Sequence, residues 1–426
     1  MLKTNDSTLF VDGVSTVELA DAFGTPLYVY SEHRIKENLN EIRTSFLSKY
    51  PNTHAAYACK AFCTLYMCKL LNEEGFWIDV VSGGELFTAI KAKFPPGRIE
   101  FNGNNKSEEE LVMALDYGVE RIVVDNVSEL YHLEKLCMNL GKTVKILFRI
   151  TPAVSSDTHE YITTGRKDSK FGIPLNEDIL YPLIAYAIES EAFEFLGFHF
   201  HVGSQLLDTK SHLSALEVIL DLMLATKQRF DYDIKDFNMG GGFGIKYTDS
   251  DQPLGISEFV DPIMNRMNAF CVENNLTRPH VSMEPGRFII GDAGIQLYRI
   301  GNIKEIPGVK TYASVDGGMT DNMRPGLYGA SYDAIIANKA DEIKNTVVDI
   351  SGKCCESTDI LIKNLKCTKP ETGDLLAVFS TGAYGFSMAN NYNKIRIPAV
   401  VVISNDKARL IVKRQSYDDM ILNEII

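Results

Sequence analysis

Chemically active residue types stand at the ends of several short apolar runs of the chain. Lys60 ends one run, and a poorly hydrated lysine in such a place can attack an aldehyde and form a Schiff base. His199 and His201 are two residues apart on another run and therefore share a face, where an imidazole can stack on a flat ring. The glycines of Gly240–Gly244 let backbone N–H groups approach a phosphate, and Glu284 places a carboxylate before a Pro-Gly turn.

Each of these residues also has an ordinary structural explanation. A strand-end lysine is most often a surface residue, a lone histidine is most often part of the core, and Glu284 with Arg287 could form a surface ion pair. The two histidines could be metal ligands, but no third ligand stands out, so we expect no metal. Together the residues can hold pyridoxal phosphate, with lysine on the aldehyde, glycines and Ser204 on the phosphate, imidazole on the ring face and Glu284 on the pyridine nitrogen.

Eight short apolar runs, separated by helix-length segments, must position these residues. The runs are Ala55–Ala58, Trp77–Val81, Ile99–Phe101, Arg121–Val124, Val144–Ile150, Phe195–Val202, Asp236–Met239 and His280–Met283. Strands that alternate with helices such as Ser107–Gly118 imply parallel pairing, and eight units suit a TIM-type (β/α)8 barrel over residues 35–292. A doubly wound open sheet is the competing α/β arrangement. In a barrel the active site forms at the carboxyl ends of the strands, where the candidate residues stand.

The pattern changes after about residue 295. The later runs are Gln296–Ile303, Thr311–Asp316, Val347–Ser351, Leu375–Phe379, Ala399–Ile403 and Arg409–Val412. Turn residues rather than helix-length segments separate them, which predicts an all-β domain, either a sandwich or a small barrel. Thr25–Tyr30 (TPLYVY) is a further short strand before the barrel. The polar stretch Ser155–Lys170 fits either a mobile lid or a solvated surface excursion.

Composition excludes several classes of protein. The chain has 426 residues, with 43 Lys+Arg against 56 Asp+Glu and a net charge of −13, which argues against binding to nucleic acid or to an anionic membrane. No apolar run approaches the ~18 residues of a membrane helix, and no signal sequence is evident. Eight cysteines without a CxxC pair form neither a disulfide scaffold nor a zinc site. We therefore expect a cytoplasmic protein with a small-molecule substrate.

Ordered sequence blocks along nearly the whole chain resemble the diaminopimelate decarboxylase family, in the fold-type III group of pyridoxal-phosphate enzymes that also holds ornithine and arginine decarboxylases and alanine racemase. The blocks are TPLYVY (Thr25–Tyr30), YACKA (Tyr57–Ala61), DVVSGGEL (Asp79–Leu86), FNGNNKS (Phe101–Ser107), HFHVGSQ (His199–Gln205), GGGFG (Gly240–Gly244), EPGR (Glu284–Arg287), RPGLY (Arg324–Tyr328), CES (Cys355–Ser357) and GAYGFSM (Gly382–Met388). Phe62, Asn102 and Asn238 depart from the family pattern, in which Asn, His and Asp are common, and we expect these departures to affect packing more than chemistry.

The resemblance implies a role for each matching residue. Lys60 is similar to the Schiff-base lysine, His201 to the ring-stacking histidine, and Glu284 to the partner of the pyridine nitrogen. The implied cofactor contacts are completed by Ser204, Gly241, Gly242, Gly286, Arg287 and Tyr384, and the implied substrate contacts are Arg287, Arg324, Tyr328, Glu356 and Tyr384. Cys355 is similar to the catalytic proton donor.

The resemblance also implies a homodimer with a shared active site, because the CES segment of such enzymes reaches the site of the neighbouring subunit. It further implies a β domain of residues 1–34 and 293–426 that takes in the N-terminal strand and contributes to substrate binding and to the dimer interface. Arg287 and Arg324 suit a distal carboxylate and Glu356 a distal ammonium, which favours decarboxylation of meso-2,6-diaminopimelate to L-lysine. The alternatives are a decarboxylase of another basic amino acid or of a carboxylated polyamine, and a non-catalytic pyridoxal-phosphate-binding homologue.

Overall fold

The computed structural model describes residues 1–152 and 169–426, which divide into two compact units. The barrel unit comprises Leu39–Gly244 and Pro253–Arg287, and the β unit comprises Met1–Asn38, Ile245–Gln252 and Phe288–Ile426. Within the described part of the chain, no helix is both long and apolar enough to cross a membrane. The stretch Ser155–Lys170, whose sequence fits either a lid or a surface excursion, lies outside the described residues except for its last two positions.

The strands are numbered in chain order. They are β1 (Leu2–Asn5), β2 (Thr8–Val11), β3 (Val14–Ser15), β4 (Leu27–Ser31), β5 (Thr53–Ala58), β6 (Trp77–Val80), β7 (Ile99–Phe101), β8 (Arg121–Val124), β9 (Val144–Thr151), β10 (Ile173–Pro174), β11 (Phe193–His199), β12 (Asp236–Asn238), β13 (His280–Met283), β14 (Gly294–Ile306), β15 (Lys310–Val315), β16 (Ala334–Ile336), β17 (Thr346–Ser351), β18 (Ile360–Cys367), β19 (Leu375–Val378), β20 (Ala399–Ser404) and β21 (Lys407–Val412).

The α-helices are numbered in the same way. They are α1 (Thr16–Phe23), α2 (Glu32–Ile42), α3 (Leu65–Glu73), α4 (Gly83–Lys91), α5 (Glu108–Tyr117), α6 (Val127–Leu140), α7 (Glu177–Glu189), α8 (Lys210–Phe230), α9 (Ile256–Glu273), α10 (Arg287–Ile290), α11 (Arg324–Tyr328) and α12 (Tyr417–Ile421).

Parallel strands close a barrel in the barrel unit. Their order is β5-β6-β7-β8-β9-β11-β12-β13, and β13 returns to β5 through the pairs Val281↔Thr53 and Met283↔Ala55. The closure confirms the predicted TIM-type barrel and excludes the open sheet. Each of the eight apolar runs in the sequence corresponds to one of these strands, and the short β10 pairs with β9 without joining the closed ring.

Local capping fixes where the barrel helices begin. The side chain of Ser107 accepts a hydrogen bond from the backbone of Glu110 at 3.2 Å, and the Glu110 carboxylate accepts one from the backbone of Ser107 at 2.9 Å. This capping box starts α5, and Gly118 in the left-handed conformation ends it. Side chains of Thr64, Ser82 and Asn126 cap α3, α4 and α6 in a similar way. The caps hold the loops that follow the strands, and these loops carry the candidate site residues.

The β unit is built on a sheet of order β18-β17-β15-β14-β4-β20-β21. Strand β4 lies inside this sheet, antiparallel to β14 and parallel to β20, so the predicted N-terminal strand does belong to the C-terminal β domain. The six predicted runs correspond to β14, β15, β17, β19, β20 and β21, whereas β1, β2, β3, β16 and β18 were missed. Buried side chains such as Ile300, Val348 and Leu376 form one apolar core on this sheet, and Val29, Leu297 and Val401 belong to another.

Candidate active site

A cavity of about 270 Å³ lies at the carboxyl ends of the barrel strands. Its lining includes Lys60, Asp79, Asn102, Arg149, His199, His201 and Glu284. The lysine, both histidines and the glutamate that the strand-end rule selected in the sequence therefore lie around one cavity. A larger cavity of about 900 Å³ lies in the β unit, and no histidine is among its lining residues, whereas the barrel cavity combines a lysine, imidazoles and buried acids.

Lys60 lies on a 3-10 turn, Cys59–Ala61, which directly follows β5. The turn that follows Glu284 approaches this segment closely, because the backbone N–H of Ala58 donates to the carbonyl of Pro285 at 3.4 Å. A Cβ atom at Gly286 would lie only 3.1 Å from the Cβ atom of Ala58. The glycine thus permits the close approach of the two turns that present Lys60 and Glu284.

The carboxylate of Glu284 is buried, with a relative exposure of 4%. Its Oε1 atom lies 3.1 Å from Nε2 of His199 and accepts hydrogen bonds from the side-chain amides of Asn102 at 3.1 Å and Asn238 at 2.9 Å. Burial raises the pKa of Glu284, but His199 and the cations Lys60 and Arg149 together outweigh it and lower the pKa to about 2. Glu284 is therefore an ionised carboxylate, a group that can keep a proton on a ring nitrogen.

His199 and His201 both line the cavity as neutral imidazoles. Burial lowers the pKa of His199 although Glu284 opposes this effect, and burial followed by the charge of Lys60 lowers the pKa of His201. The backbone N–H of Gly241 donates to Nδ1 of His201 at 3.3 Å, which leaves the ring hydrogen on Nε2. A neutral ring held in this way is suited to stacking on a flat cofactor.

The glycine turn after β12 passes close to other backbone segments. A Cβ atom at Gly241 would lie 2.2 Å from the carbonyl oxygen of Glu284, and one at Gly242, where φ is +104°, would lie 2.5 Å from the carbonyl oxygen of Gly203. Backbone hydrogen bonds of 2.9 Å from Leu206 N to Gly242 O and from Gly244 N to Leu206 O join the turn to the loop that carries Ser204. No side chain fits at either glycine, because the turn packs directly against the backbone of the neighbouring loops.

Ser204 lies beside a buried cation. The guanidinium of Arg287 donates from Nη2 to Oγ of Ser204 at 2.8 Å, and Arg287 is 6% exposed. A hydroxyl, a guanidinium and the neighbouring Gly240–Gly242 turn are the donors from which proteins build anion sites. The structure therefore brings together the residues for which the sequence predicted phosphate contacts.

The remaining sequence-predicted residues lie in the β unit. Arg324 is buried, and its Nη1 atom donates to the hydroxyl of Tyr247 at 3.1 Å and to that of Tyr332. Burial lowers the pKa of Arg324, but these two hydroxyls and Tyr384 outweigh it and raise the pKa above its usual value. Tyr328 ends the short helix α11, which Arg324 begins, so RPGLY forms one helical turn.

Cys355 and Glu356 lie on an exposed loop between β17 and β18. The backbone N–H of Cys355 donates to Oδ1 of Asn393 at 2.7 Å, and that of Cys354 donates to Oδ2 of Asp359 at 2.8 Å. Burial and then Asp359 raise the pKa of the Cys354 thiol to about 11. The two adjacent thiols therefore differ, since Cys355 is the exposed one and Cys354 is held in its protonated form.

Sequence reasoning missed Arg149, which lies two residues before the end of β9 and lines the cavity. Burial lowers the pKa of Arg149, and its guanidinium lies 4.3 Å from the ring centre of Phe171. A charged residue near the end of the apolar run KILFRIT was the available signal, and the strand-end rule would have selected it.

Comparisons with known proteins show the family of the chain. Residues 33–291 match the family model described as "Pyridoxal-dependent decarboxylase, pyridoxal binding domain". The diaminopimelate decarboxylase of Bacillus subtilis is 47% identical over 413 residues, which cover 97% of this chain and 94% of that protein. A crystal structure of the diaminopimelate decarboxylase from M. jannaschii is 38% identical to this chain, with a TM-score of 0.93. A second crystal structure of that enzyme, in co-complex with L-lysine, is 37% identical, also with a TM-score of 0.93. Each match covers 100% of this chain and 98% of the other.

Proposed function

The chain belongs to the diaminopimelate decarboxylase family of pyridoxal-dependent enzymes, and on that premise we propose that it converts meso-2,6-diaminopimelate to L-lysine and carbon dioxide with pyridoxal 5'-phosphate as cofactor. One observation carries the proposal. Lys60, His201 and the ionised Glu284 line one cavity at the strand ends of a barrel whose whole chain resembles these enzymes. A relative bound to L-lysine, the product of the proposed reaction, supports the substrate assignment.

The residues of the cavity fit pyridoxal phosphate. Lys60 offers an amine to the aldehyde, and Ser204, Arg287 and the backbone of the turn at Gly242 offer donors to the phosphate. Asp79 Oδ2 and His199 Nδ1 are buried and have no hydrogen-bond partner among the described residues, so the cavity holds polar atoms that a ligand can satisfy. When bound, the cofactor supplies a sink for the electron pair that decarboxylation leaves behind.

Glu284 and His201 have separate tasks. The ionised carboxylate of Glu284 holds a proton on the pyridine nitrogen, which strengthens the electron-withdrawing ring. The neutral imidazole of His201 covers one face of the ring, and its hydrogen bond with the backbone of Gly241 fixes the plane in which it lies. Gly286 allows the Glu284 turn to approach the Lys60 turn.

The reaction breaks the bond between Cα and its carboxylate, and Cα must then receive one proton. We assign this proton to Sγ of Cys355, since a thiol can act as a general acid. Asn393 holds the backbone of Cys355, so the loop presents this thiol rather than that of Cys354. The exposure of Cys355 supports a homodimer in which the CES segment serves the site of the neighbouring subunit.

Substrate choice rests on the distal amino-acid group of diaminopimelate. We propose that Arg287 and Arg324 bind its carboxylate and that Glu356 binds its ammonium. Tyr247 and Tyr332 orient the Arg324 guanidinium, and Tyr328 and Tyr384 add hydroxyl groups for the substrate, with Tyr384 also contacting the cofactor. In this proposal the barrel unit binds the cofactor, and the β unit contributes to substrate binding and to the dimer interface.

The proposal is tested by carbon dioxide release from the purified enzyme with added pyridoxal phosphate. Meso-diaminopimelate, ornithine, lysine and arginine are compared at equal concentration. We expect turnover of diaminopimelate well above that of the others, because only this substrate has a distal carboxylate. Preferred turnover of ornithine, lysine or arginine would instead identify a decarboxylase of another basic amino acid, and binding of the cofactor without any turnover would identify a non-catalytic homologue.

A further inference from the structure

Three buried carboxyl groups in the barrel are joined by two side-chain amides. Asp79, Glu100 and Glu284 have relative exposures of 1%, 0% and 4%. The amide nitrogen of Asn238 donates to Glu100 Oε2 at 2.8 Å and to Glu284 Oε1 at 2.9 Å. The amide nitrogen of Asn102 donates to Asp79 Oδ1 at 2.6 Å and to Glu284 Oε1 at 3.1 Å. Glu284 is therefore the one carboxyl group of the three that both amides contact.

We propose that Asn102 and Asn238 are positioning residues that keep the single negative charge of this cluster on Glu284, and thereby keep the pyridine nitrogen of the cofactor protonated. The inference rests on the proposed function, because it assumes that Glu284 pairs with that nitrogen. Neither asparagine needs to touch the reacting atoms, since each acts through the Glu284 carboxylate.

The two hydrogens of an amide group explain why the charge stays on Glu284. An NH2 group only donates, so its hydrogen bonds favour an ionised acceptor over a protonated one. Glu284 receives one such hydrogen from each asparagine on the same oxygen, whereas Asp79 and Glu100 receive one each. An amide does not release a proton under these conditions, so it also separates the carboxyl groups and prevents them from sharing one.

Burial keeps the other two carboxyl groups protonated. It raises the pKa of Asp79 well above its usual value, with a further increase from the nearby charge of Glu284, and it raises the pKa of Glu100 to about 8 although Arg121 opposes this. A proton on Glu100 can face His54, whose Nε2 atom lies 2.5 Å from Oε1 and whose own pKa burial lowers. Three neighbouring buried carboxylates could not all be ionised.

The charged groups around Glu284 also favour its ionised form over its protonated form. Lys60 and Arg149 lower its pKa, and His199 contacts the oxygen that both amides contact. Around Glu100, the cation Arg121 is balanced by Asp236, whose Oδ2 atom lies 2.7 Å from Nη1 of Arg121. The cations nearest the cavity therefore favour charge on Glu284, and the cation near Glu100 already has an acidic partner.

The test measures the protonation of the cofactor rather than turnover. Holoenzyme is prepared with pyridoxal phosphate labelled with ¹⁵N at the pyridine nitrogen, and the ¹⁵N chemical shift is recorded for the wild type and for Asn102→Leu and Asn238→Leu. Leucine has a similar volume and no donor. We expect the wild type to show a protonated nitrogen and each variant to shift toward the unprotonated value. A lost hydrogen bond to a charged group should lower the ratio of protonated to unprotonated nitrogen about tenfold or more.

Ser282→Ala is the matched control. Ser282 is fully buried, pairs with Asn238 across β12 and β13, and its hydroxyl has no hydrogen-bond partner among the described residues. We expect this variant to keep the wild-type chemical shift. If the ¹⁵N chemical shift of Ser282→Ala changes as much as that of the asparagine variants, any substitution near Glu284 alters the protonation of the pyridine nitrogen. That result would contradict the proposal.

The outcomes separate the inference from the proposed function. If the wild type has a protonated nitrogen and both leucine variants keep it, the inference is wrong and the role of Glu284 stands. If the wild-type nitrogen is unprotonated, the pairing with Glu284 is wrong as well. If Asn238→Leu does not fold, Asn238→Ser, which keeps one donor, should give an intermediate chemical shift, and Asn102→Leu tests the other amide independently.

Discussion

The guanidinium of Arg287 donates a hydrogen bond of 2.8 Å to the hydroxyl of Ser204, and this contact joins the loop after β11 to the turn after β13. Both residues are close in sequence to groups of the proposed cofactor site, His201 and Glu284. The hydrogen bond therefore fixes the position of the loop on one side of the cavity relative to the turn on the other side. It also places a cation beside a hydroxyl at the proposed phosphate position.

Replacement of Ser204 by alanine is expected to weaken cofactor binding. The change removes the proposed hydrogen bond to the phosphate and also the contact of Ser204 with Arg287. A lost hydrogen bond to a charged group weakens binding by about 10- to 100-fold. The measurement is the dissociation constant of pyridoxal phosphate from its visible absorbance. Ser314→Ala, in the β unit, is the control and should bind as the wild type does; equal weakening in both variants, or none in Ser204→Ala, would count against the assignment.

Alanine at Gly241 is expected to destabilise the barrel unit. The added Cβ atom would lie 2.2 Å from a backbone carbonyl oxygen, which cannot move without moving the Glu284 turn. We expect a loss of roughly 2–4 kcal/mol in the free energy of unfolding, measured in urea. Gly84→Ala is the matched control. Gly84 lies in α4, and among the described residues outside that helix's backbone only the Ser82 hydroxyl would lie within 4 Å of the added Cβ atom, so a gain of up to about 1 kcal/mol is expected there. Equal stability of both variants would show that the turn tolerates a side chain.

His212 is expected to make the barrel unit less stable in acid. Burial lowers its pKa to about 4, and its ring lies against Phe200, Phe243 and Phe259 while Nε2 contacts the Gly241 carbonyl at 3.0 Å. The folded pKa is below the unfolded value of about 6.5, so the unfolded chain binds the extra proton first and stability falls as the pH drops from about 6.5 to about 4. The loss from this residue is roughly 3 kcal/mol at most.

Urea unfolding between pH 7 and pH 4 measures this effect in the wild type and in His212→Gln. The variant should show a shallower dependence of the unfolding free energy on pH, by up to about one proton. His54, His199 and His201 are also buried with lowered pKa values, so part of the dependence should remain. An unchanged pH dependence in His212→Gln would contradict the neutral state assigned to this ring.

The Cys355 thiol is expected to be required for turnover but not for cofactor binding. Cys355→Ala should lower kcat about 10²- to 10⁴-fold, the usual contribution of a general acid, with an unchanged cofactor spectrum. Cys354→Ala is the matched control and should keep its activity. Turnover in Cys355→Ala at the wild-type rate would show that another group supplies the proton.

Mixed subunits test whether the active site is shared. Inactive Lys60→Ala and Cys355→Ala chains, exchanged in equal amounts, should regain about a quarter of wild-type activity, because half of the dimers are mixed and each mixed dimer has one intact site. The same mixture without exchange of subunits should remain inactive. If activity does not return although subunit exchange is proven, Lys60 and Cys355 of the same subunit serve the same site.

The sequence predicted the barrel and the cavity residues well because both follow from local patterns. Strand-end position selected Lys60, His199, His201 and Glu284, and the structure shows all four on one cavity. The strand β18 was missed because its exposed lysines interrupt the apolar run. The contacts of the Asn102 and Asn238 amides could not be predicted, since they depend on side chains on or directly after four strands, β6, β7, β12 and β13, that meet only when the barrel closes.

The central claim is that Lys60 holds pyridoxal phosphate in the barrel cavity. Its most direct test is reduction of the holoenzyme with borohydride, followed by peptide mapping by mass spectrometry. We predict that the reduced cofactor is attached to Lys60 and that Lys60→Ala carries no attached cofactor, whereas Lys69→Ala, a helical surface control, is labelled like the wild type. Attachment to a different lysine, or labelling that persists in Lys60→Ala, would contradict the account.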